Sequence, residues 1–452
     1  MIVQKFGGTS VADPDAVRRL IEIVRTTRAR DSRGPVVVVS ALSGVTDALL
    51  TIAAEAGAGR SEEALSHVDR LRERHLTMAR GLVVGSPLEP LTSQINQHFE
   101  ELGAVVRALA VLREVSLRTL DVIAAMGELL SSRMVAAALK HAGLPGEWAD
   151  ARRAVVTNDD HSRAVPLMRE TTAALRASLV PMIEAGCIPV LGGFVGATPD
   201  GHTTTLGRGG SDYSGAIVGA GVEASEIQIW TDVDGMLTAD PRIIPAARLV
   251  PRLSFAEAAE LAYFGAKVLH PSTIHPAVER DIPVRILNSR KPDGTGTLIT
   301  KDPEAGQDPL TAMAAKRDLT VVDITSSRML MAYGFLRRVF EVFERFRTAV
   351  DVVTTSEVSV SVTVDDRRHL DAIVEALSEF AEVSVEPGMA LLCAVGDRLQ
   401  TEPAIAARVI RVLEEVPLKM ISQAASRRNI TVVMRQADLP HAMHRLHEEF
   451  FQ

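Results

Sequence analysis

Short apolar runs alternate with longer amphipathic stretches through the first half of the chain. Val36-Val37-Val38-Val39-Ser40 has no polar position until its end, the pattern of a strand buried on both faces. Cys187-Ile188-Pro189-Val190-Leu191, Glu226-Ile227-Gln228-Ile229-Trp230 and Val284-Arg285-Ile286-Leu287 read the same way, and Ile2-Val3 opens a further strand. Between them lie helical stretches. Asp13-Pro14, a capping residue followed by proline in the first turn, predicts a helix running through Arg25. The Leu/Ala/Glu/Arg-rich stretch from Thr46 to Leu120 predicts helices with a break near Gly81–Pro90. Strands separated by helices predict an α/β domain with a mainly parallel sheet and crossovers on both faces. In such a sheet, ligands sit beyond the C-terminal strand ends.

The pattern changes at the turn-rich segment Lys291-Pro292-Asp293-Gly294-Thr295-Gly296-Thr297 and the loose stretch from Lys301 to Pro309. This places a first domain at residues 1–300. Two units of similar shape follow. The first has a strand at Leu319–Ile324, a helix near Gly334–Phe346, strands around Val350–Thr354 and Val358–Val364, and a helix at Arg368–Phe380. The second repeats the order with Ala390–Val395, Pro403–Leu413, Leu418–Ile421, Ile430–Met434 and Leu439–Phe450. A βαββα rhythm with a period of roughly 70 residues predicts a duplicated ferredoxin-like βαββαβ sandwich. The units span 315–385 and 386–452, and a strand within 306–316, around Leu310–Ala315, is available to complete either one. A single sandwich exposes a sheet edge, and pairing between two chains is the expected cover, giving a homodimer or a tetramer built from it.

Composition narrows the function classes. The chain has 452 residues, 46% hydrophobic and 23% charged, with a formal net charge of -8 and no basic block. That argues against nucleic acid as the main partner, and an anionic substrate must be met by a local cluster of cations. No run reads as approaching the roughly 20 apolar residues of a membrane span, and the N-terminus lacks the pattern of a signal peptide, so a cytoplasmic protein is expected. The only two cysteines, Cys187 and Cys393, read as buried small hydrophobes. His161, His202 and His275 have no metal-ligand spacing.

Candidate chemistry gathers at glycine turns. Lys5-Phe6-Gly7-Gly8-Thr9-Ser10-Val11 puts a lysine, two glycines and two hydroxyls at a strand-to-helix junction, the parts of a phosphate cradle. The lysine precedes the glycines, so this is not the P-loop pattern. Ser40–Thr46 follows the valine strand. Gly127-Glu128 lies in an apolar helical stretch, where Glu128 is either a solvated helix residue or a site acid. Thr203–Asp212, containing Gly207-Arg208-Gly209-Gly210-Ser211-Asp212, leads into the small-residue helix Tyr213–Ala220, another anion-binding helix start. Thr231-Asp232-Val233-Asp234-Gly235 is either a simple Asx turn or a ligand loop. Gly265–Pro271 comes last, with His270 before proline reading as structural.

Taken together, Lys5–Val11, Thr203–Asp212, Thr231–Gly235 with Asp240-Pro241-Arg242, Gly265–Pro271 and Thr354–Val360 resemble the aspartate kinases of the amino-acid kinase family, across essentially the whole chain. The resemblance implies an amino-acid kinase fold followed by two ACT domains, and ATP- and Mg2+-dependent phosphorylation of the side-chain carboxylate of L-aspartate, the first step toward lysine, threonine and methionine. It implies Lys5 at the transferring phosphate, framed by Gly7, Gly8 and Ser10, with Asp212 organising the cations. Arg208 would hold the α-carboxylate of aspartate and Glu128 its α-ammonium, with Ser40, Thr46, Phe194, Gly209, Gly210 and Ser211 completing that site. Thr231, Asp232 and Asp234 would lie along the nucleotide, with Arg242 and Lys267 on its phosphates. Magnesium would be held mainly by ATP oxygens and water, and no residue is assigned as a metal ligand.

Two segments depart from the family pattern. Met236-Leu237 stands where many relatives carry an aromatic, and Met331-Ala332 replaces small polar or glycine residues in the regulatory region. The resemblance also implies an effector site in the first ACT unit, made by Met329, Gly334, Phe335, Leu336, Asp351, Thr355, Ser356 and Glu357. Asp351 and Glu357 flanking one pocket would suit a ligand with two ammonium groups, which points to L-lysine rather than threonine. Two other readings compete: a kinase for a glutamate-type substrate, and an amino-acid-binding regulator with an inactive kinase domain. A fused homoserine dehydrogenase is not expected, since no dinucleotide-binding glycine pattern follows.

Overall fold

The computed structural model describes residues 1–31, 33–207, 209–265, 271–302, 309–326, 333–399, 401–423 and 427–452. The chain forms two compact units, residues 1–236 with 268–303, and residues 237–267 with 304–452.

The first unit is built on a twisted sheet. Strand β1 (Ile2–Phe6) lies between β2 (Val36–Val39) and β7 (Glu226–Thr231), parallel to both. Beyond β2 come β4 (Ile188–Gly192) and β3 (Gly146–Trp148), also parallel. Beyond β7 come β9 (Val284–Asn288), parallel, and β10 (Thr297–Thr300), antiparallel. The all-apolar runs occupy the middle of this sheet, where both faces are covered, and every residue of β2 is buried. A hairpin of β5 (Val195–Ala197) and β6 (Thr203–Thr205) stands beside it.

Helix α1 (Pro14–Arg30) starts where the sequence predicts, with the Asp13 carboxylate accepting from Ala16 N at 2.8 Å. It runs five residues past Arg25, and Leu20, Ile21, Ile23 and Val24 bury one stripe of it. The long helical stretch resolves into α2 (Val45–Gly57), α3 (Ser61–Leu82), α4 (Leu88–Leu112) and α5 (Leu117–His141). The break expected near Gly81–Pro90 is there; Gly59 and Arg113, both at positive φ, end the other helices. Leu49, Ile52, Ile95, Leu102, Ile123, Leu130 and Leu139 form a helical core with β1 and β2. Helix α5 is long and apolar enough to cross a membrane, contrary to the reading of the sequence. Its apolar window is 83% buried inside the protein, as a core helix would be. The short α6 (Ala151–Ala154), then α7 (Met168–Glu184), α8 (Gly210–Gly221) and α10 (His275–Glu279) complete the unit. Cys187 is only half-buried, unlike Cys393, because it lies just outside β4 at its N-terminal end.

The second unit contains β8 (Arg252–Ser254), α9 (Phe255–Tyr263) with a Ser254–Glu257 capping box, and one antiparallel sheet of six strands. A boundary drawn at 291–309 does not anticipate that residues 237–267 join it. Met313 N donates to Thr238 O at 2.7 Å, and Asn429 Nδ2 to Glu260 Oε2 at 2.6 Å. The sheet order is β12 (Val353–Thr355), β13 (Ser359–Val364), β11 (Ala312–Thr325), β14 (Glu382–Val395), β16 (Asn429–Arg435), β15 (Leu418–Gln423). Helices α11 (Phe335–Arg345) and α12 (Leu370–Ser378) pack on one half, α13 (Pro403–Val412) and α14 (Leu439–Phe451) on the other.

The two ferredoxin-like halves pair with each other within one chain, whereas sequence alone pointed to pairing between chains. Strands β11 and β14 each run 14 residues and serve both halves. Thr320–Thr325 pairs with Glu382–Pro387 in the first half, and Ala312–Lys316 with Leu391–Val395 in the second. The run around Leu310–Ala315 therefore completes the second half, and a register irregularity between Lys316 and Leu319 marks the junction.

Candidate active site

The cleft of the first unit opens beyond the C-terminal ends of β1, β2 and β4 and has a volume of about 600 Å3. Lys5, near the end of β1, is 6% exposed, and its ammonium ion-pairs with the carboxylate of Asp212. Asp212 lies in the first turn of α8. Gly209 makes that helix start possible, since its φ of +75° is a conformation other residues adopt only under strain. The N-terminal dipole of α8 and the Lys5 ammonium thus meet at one place. Ser40 follows β2 and Thr46 stands in the first turn of α2; both line the cleft, as do Phe194, Gly209, Gly210 and Ser211. Phe194 is held at φ +65° by a hydrogen bond from its N–H to Ser214 Oγ (2.8 Å) and one into its carbonyl from Leu206 N (2.9 Å).

Glu128 lies on α5 and is 3% exposed, so the solvated-helix reading does not hold. Its Oε2 is buried and has no hydrogen-bond partner among the described residues. Helix and sheet come this close because Gly192 has no Cβ; one placed there would fall 2.9 Å from Glu128 Cβ. Burial pushes the Glu128 carboxyl up to about 8, against the opposing pull of the Ala41 backbone and of Lys5. A buried acid that lines a cleft with one oxygen left without a partner is costly to the free protein and suited to an incoming ammonium group.

The phosphate-cradle residues lie at neighbouring strand ends. Gly7 N donates to Trp230 O at 2.9 Å, tying the end of β1 to β7, and Gly8 opens a short 3-10 turn, Gly8–Val11. Ser10 is buried with its hydroxyl 2.8 Å from Ser289 Oγ. Thr231 ends β7 and its hydroxyl reaches Asp232 Oδ1 at 3.3 Å. Asp234 accepts from Asn288 Nδ2 at 2.5 Å and pairs with Lys291 Nζ at 2.8 Å. None of these lines the 600 Å3 cleft. Arg242 belongs to the second unit, where Asp240 grips its guanidinium through Nε and Nη2 (3.0 and 2.7 Å), beside a separate cleft of about 540 Å3. Arg208, Lys267 and Met329 lie outside the described residues.

The remaining effector candidates are dispersed. Gly334 caps α11 at φ +85°, and Leu336 is exposed. The Phe335 ring is 7% exposed and packs edge-on against Phe380 in the core of its half. Thr355 ends β12, and Ser356 Oγ bonds Ser359 Oγ at 2.7 Å in the following turn, where Glu357 is exposed. Asp351 precedes β12 and pairs with Lys316 at 2.8 Å. Within one chain, Asp351 and Glu357 therefore stand at opposite ends of a strand, not on either side of one pocket as the spacing suggested.

Sequence reasoning missed three polar residues of the cleft wall, Asp47, Asp121 and Ser162, and gave no role to Thr205 within the Thr203–Asp212 segment. Asp121 had a signal, since it stands seven residues before Glu128, two turns along the same apolar helix.

The model of the amino acid kinase family matches residues 1–288, and that of an ACT domain matches 392–450. Lysine-sensitive aspartokinase 3 of Escherichia coli is 35% identical, covering 100% of this chain and 99% of that protein. The chloroplastic aspartokinase 1 of Arabidopsis thaliana is 37% identical over 100% of this chain and 80% of its own length. Among solved structures, E. coli aspartokinase III in complex with aspartate and ADP (R-state) has a TM-score of 0.84 at 35% identity, covering 100% of both chains. The same enzyme in complex with lysine and aspartate (T-state) has a TM-score of 0.85. On the domain match, the full-length identity and the shared architecture, the chain belongs to the amino acid kinase family, among the aspartokinases.

Proposed function

We propose that the 600 Å3 cleft is where this aspartate kinase binds L-aspartate, with Glu128 receiving the α-ammonium group and Arg208 the α-carboxylate. The observation that carries this reading is Glu128: a buried acid with one carboxyl oxygen left without a partner, close enough to Lys5 to feel its charge. The side-chain carboxylate of aspartate is ionised at neutral pH and needs no general base. One of its oxygens attacks the γ-phosphorus of ATP, the bond from that phosphorus to the β-γ bridging oxygen breaks, and ADP leaves with the electron pair. Two unit charges about 4 Å apart repel by roughly 4 kcal/mol at an effective dielectric near 20. Neutralisation is therefore the main task of the site. Lys5 supplies a full positive charge, Asp212 holds that ammonium in place, and the first turn of α8 adds its dipole. Magnesium entering with ATP would be held mainly by phosphate oxygens and water, with Asp212 the acid at hand, and would supply further neutralisation of the phosphates. Gly7, Gly8, Ser10, Thr231, Asp232 and Asp234, at the ends of β1 and β7, form the nucleotide side.

The same reading makes L-lysine the effector, bound at the first ferredoxin-like half through Asp351, Ser356 and Glu357. Support comes from the E. coli relative, which is lysine-sensitive and has been solved with lysine. Because Asp351 and Glu357 are separated by β12, one ligand reaches both types of acid only if two chains contribute. This favours a homodimer through the second unit, on which Tyr333, Leu336 and Phe340 are exposed. Light scattering should report two chains per particle.

The activity test is capture of the acyl phosphate with hydroxylamine. Aspartyl hydroxamate should form with wild type and fall sharply with Glu128→Gln at low aspartate. Full activity of Glu128→Gln at subsaturating aspartate would remove Glu128 from the site, and preference for glutamate would overturn the substrate.

A further inference from the structure

Asp121 is 1% exposed and takes no part in the chemistry just described. Each hydrogen bond into its carboxylate comes from a segment that lines the aspartate cleft. Thr205 Oγ1 donates to Oδ1 at 2.5 Å. Ser162 N approaches both oxygens at 3.0 Å. His161 Nδ1 lies 2.7 Å from Oδ2. One buried acid on α5 thus ties down the end of β6 and the turn at 161–162, which are 84 and 40 or 41 residues away along the chain.

The two segments also hold each other. Ala164 N donates to Thr205 O at 2.9 Å, and a Cβ on Gly207 would fall 3.0 Å from Ser162 O. Ser162 is kept at φ +69°, a strained position for a residue with a side chain, which persists only where the surroundings enforce it. Directly after Thr205 come Leu206, Gly207, Arg208 and Gly209, the stretch leading into α8. Leu206 N in turn bonds the carbonyl of the strained Phe194. The carboxylate is fully used by protein donors, so it anchors rather than binds.

We propose that Asp121 is a positioning residue for aspartate binding: it clamps β6 and the 161–164 turn, and so fixes the cleft wall formed by Ser162, Thr205 and Gly207. The proposal rests on the cleft being the aspartate site. Loosening that wall misplaces the groups that hold the substrate without touching the nucleotide side, and small misplacements in a binding site are costly.

The experiment measures KM for aspartate and for ATP separately, with thermal melts, on full-length Asp121→Asn, Thr205→Val and Thr205→Ser. Asp121→Asn should raise the aspartate KM about tenfold while the ATP KM stays within about twofold. Thr205→Val should follow it in direction, and Thr205→Ser, which keeps the hydroxyl, should remain near wild type. An unchanged aspartate KM in Asp121→Asn overturns the proposal, as do parallel rises in both KM values with a lowered melting temperature. If Asp121→Asn does not fold, equal aspartate KM values for Thr205→Val and Thr205→Ser overturn it. Glu128→Gln separates the two levels. Normal aspartate binding there means the cleft assignment has failed; weakened binding there with a normal Asp121→Asn means only the positioning role has.

Discussion

Lys316 and Asp351 form an ion pair in the second unit, Nζ to Oδ2 at 2.8 Å, with the Asp351 side chain only 8% exposed. Asp365 lies on the same ammonium at 2.7 Å. The acid proposed to receive an effector's ammonium group thus already has one supplied by the protein. A free lysine must displace or share it, which sets the concentration at which inhibition begins.

Lys316→Ala should therefore make the enzyme more sensitive to lysine. Inhibition curves at subsaturating aspartate should shift to lower lysine by about threefold, the size expected for a partly exposed ion pair. An unchanged curve, in an enzyme that lysine does inhibit, would show that Asp351 is not a ligand of the effector.

Glu128 makes aspartate binding depend on pH. Its carboxyl titrates near 8 in the folded protein, raised from 4.5 by burial. Only the carboxylate pairs with an ammonium group, so the competent fraction grows about tenfold per pH unit below that value. The KM for aspartate should fall as the pH rises from about 6.5 to about 8, and binding at neutral pH should release a proton. Calorimetry in buffers of different ionisation heat reads that proton directly.

The same shift bears on stability with a definite sign. A folded-state pKa above the unfolded value favours folding fully below about 4.5, and that contribution is lost as the pH climbs toward 8. Ligand-free Glu128→Gln should therefore melt above wild type at pH 8, with the difference shrinking toward acid. Parallel melting curves across the range would place Glu128 in a more solvated setting than its burial implies.

Lys5→Met removes a full charge from the phosphoryl transfer and leaves Asp212 without its partner. By analogy with loss of one preorganised donor, kcat should drop by about 10²–10³, with a smaller change in the aspartate KM. A loss confined to KM would move Lys5 from the reacting phosphate to ground-state binding.

Gly192→Ala probes the close approach of β4 to α5. A methyl group there meets Glu128 Cβ and the Glu128 carbonyl oxygen at 2.9 Å, and neither backbone can retreat freely. Stability should fall by about 1–3 kcal/mol, and the aspartate KM should rise because Glu128 is displaced. Chemical denaturation alongside kinetics checks both; a neutral result in each would mean the layer spacing is looser than the structure shows.

Local physics made a large part of this protein legible. The valine run reads as a strand buried on both faces, and Asp13-Pro14 as the start of a helix, because both signals depend on neighbours a few residues away. The glycines of Lys5–Val11 and Thr203–Asp212 marked the turns where backbone must approach a ligand, and the βαββα repeat was visible in periodicity alone. The acids were not legible in the same way. Read alone, Glu128 is either a solvated helix residue or a site acid until α5 is seen buried inside the helical layer, and Asp121 acquires meaning only when chain 40 and 84 residues away folds onto it.

The sequence by itself determined the elements, their order and the glycine turns, because propensity, capping and hydrophobic period are short-range. Tertiary structure alone decided which elements share a unit and which charges meet. Residues 237–267 join the C-terminal unit through bonds such as Met313 N to Thr238 O. Strands β11 and β14 fuse two halves that the repeat presents as separate. Phe335 turns into a core while Leu336 stays exposed, and Asp351 finds Lys316. These outcomes depend on contacts between distant segments, and the cost of burying a charge is set by whatever partners the fold brings to it, a quantity that no local window contains.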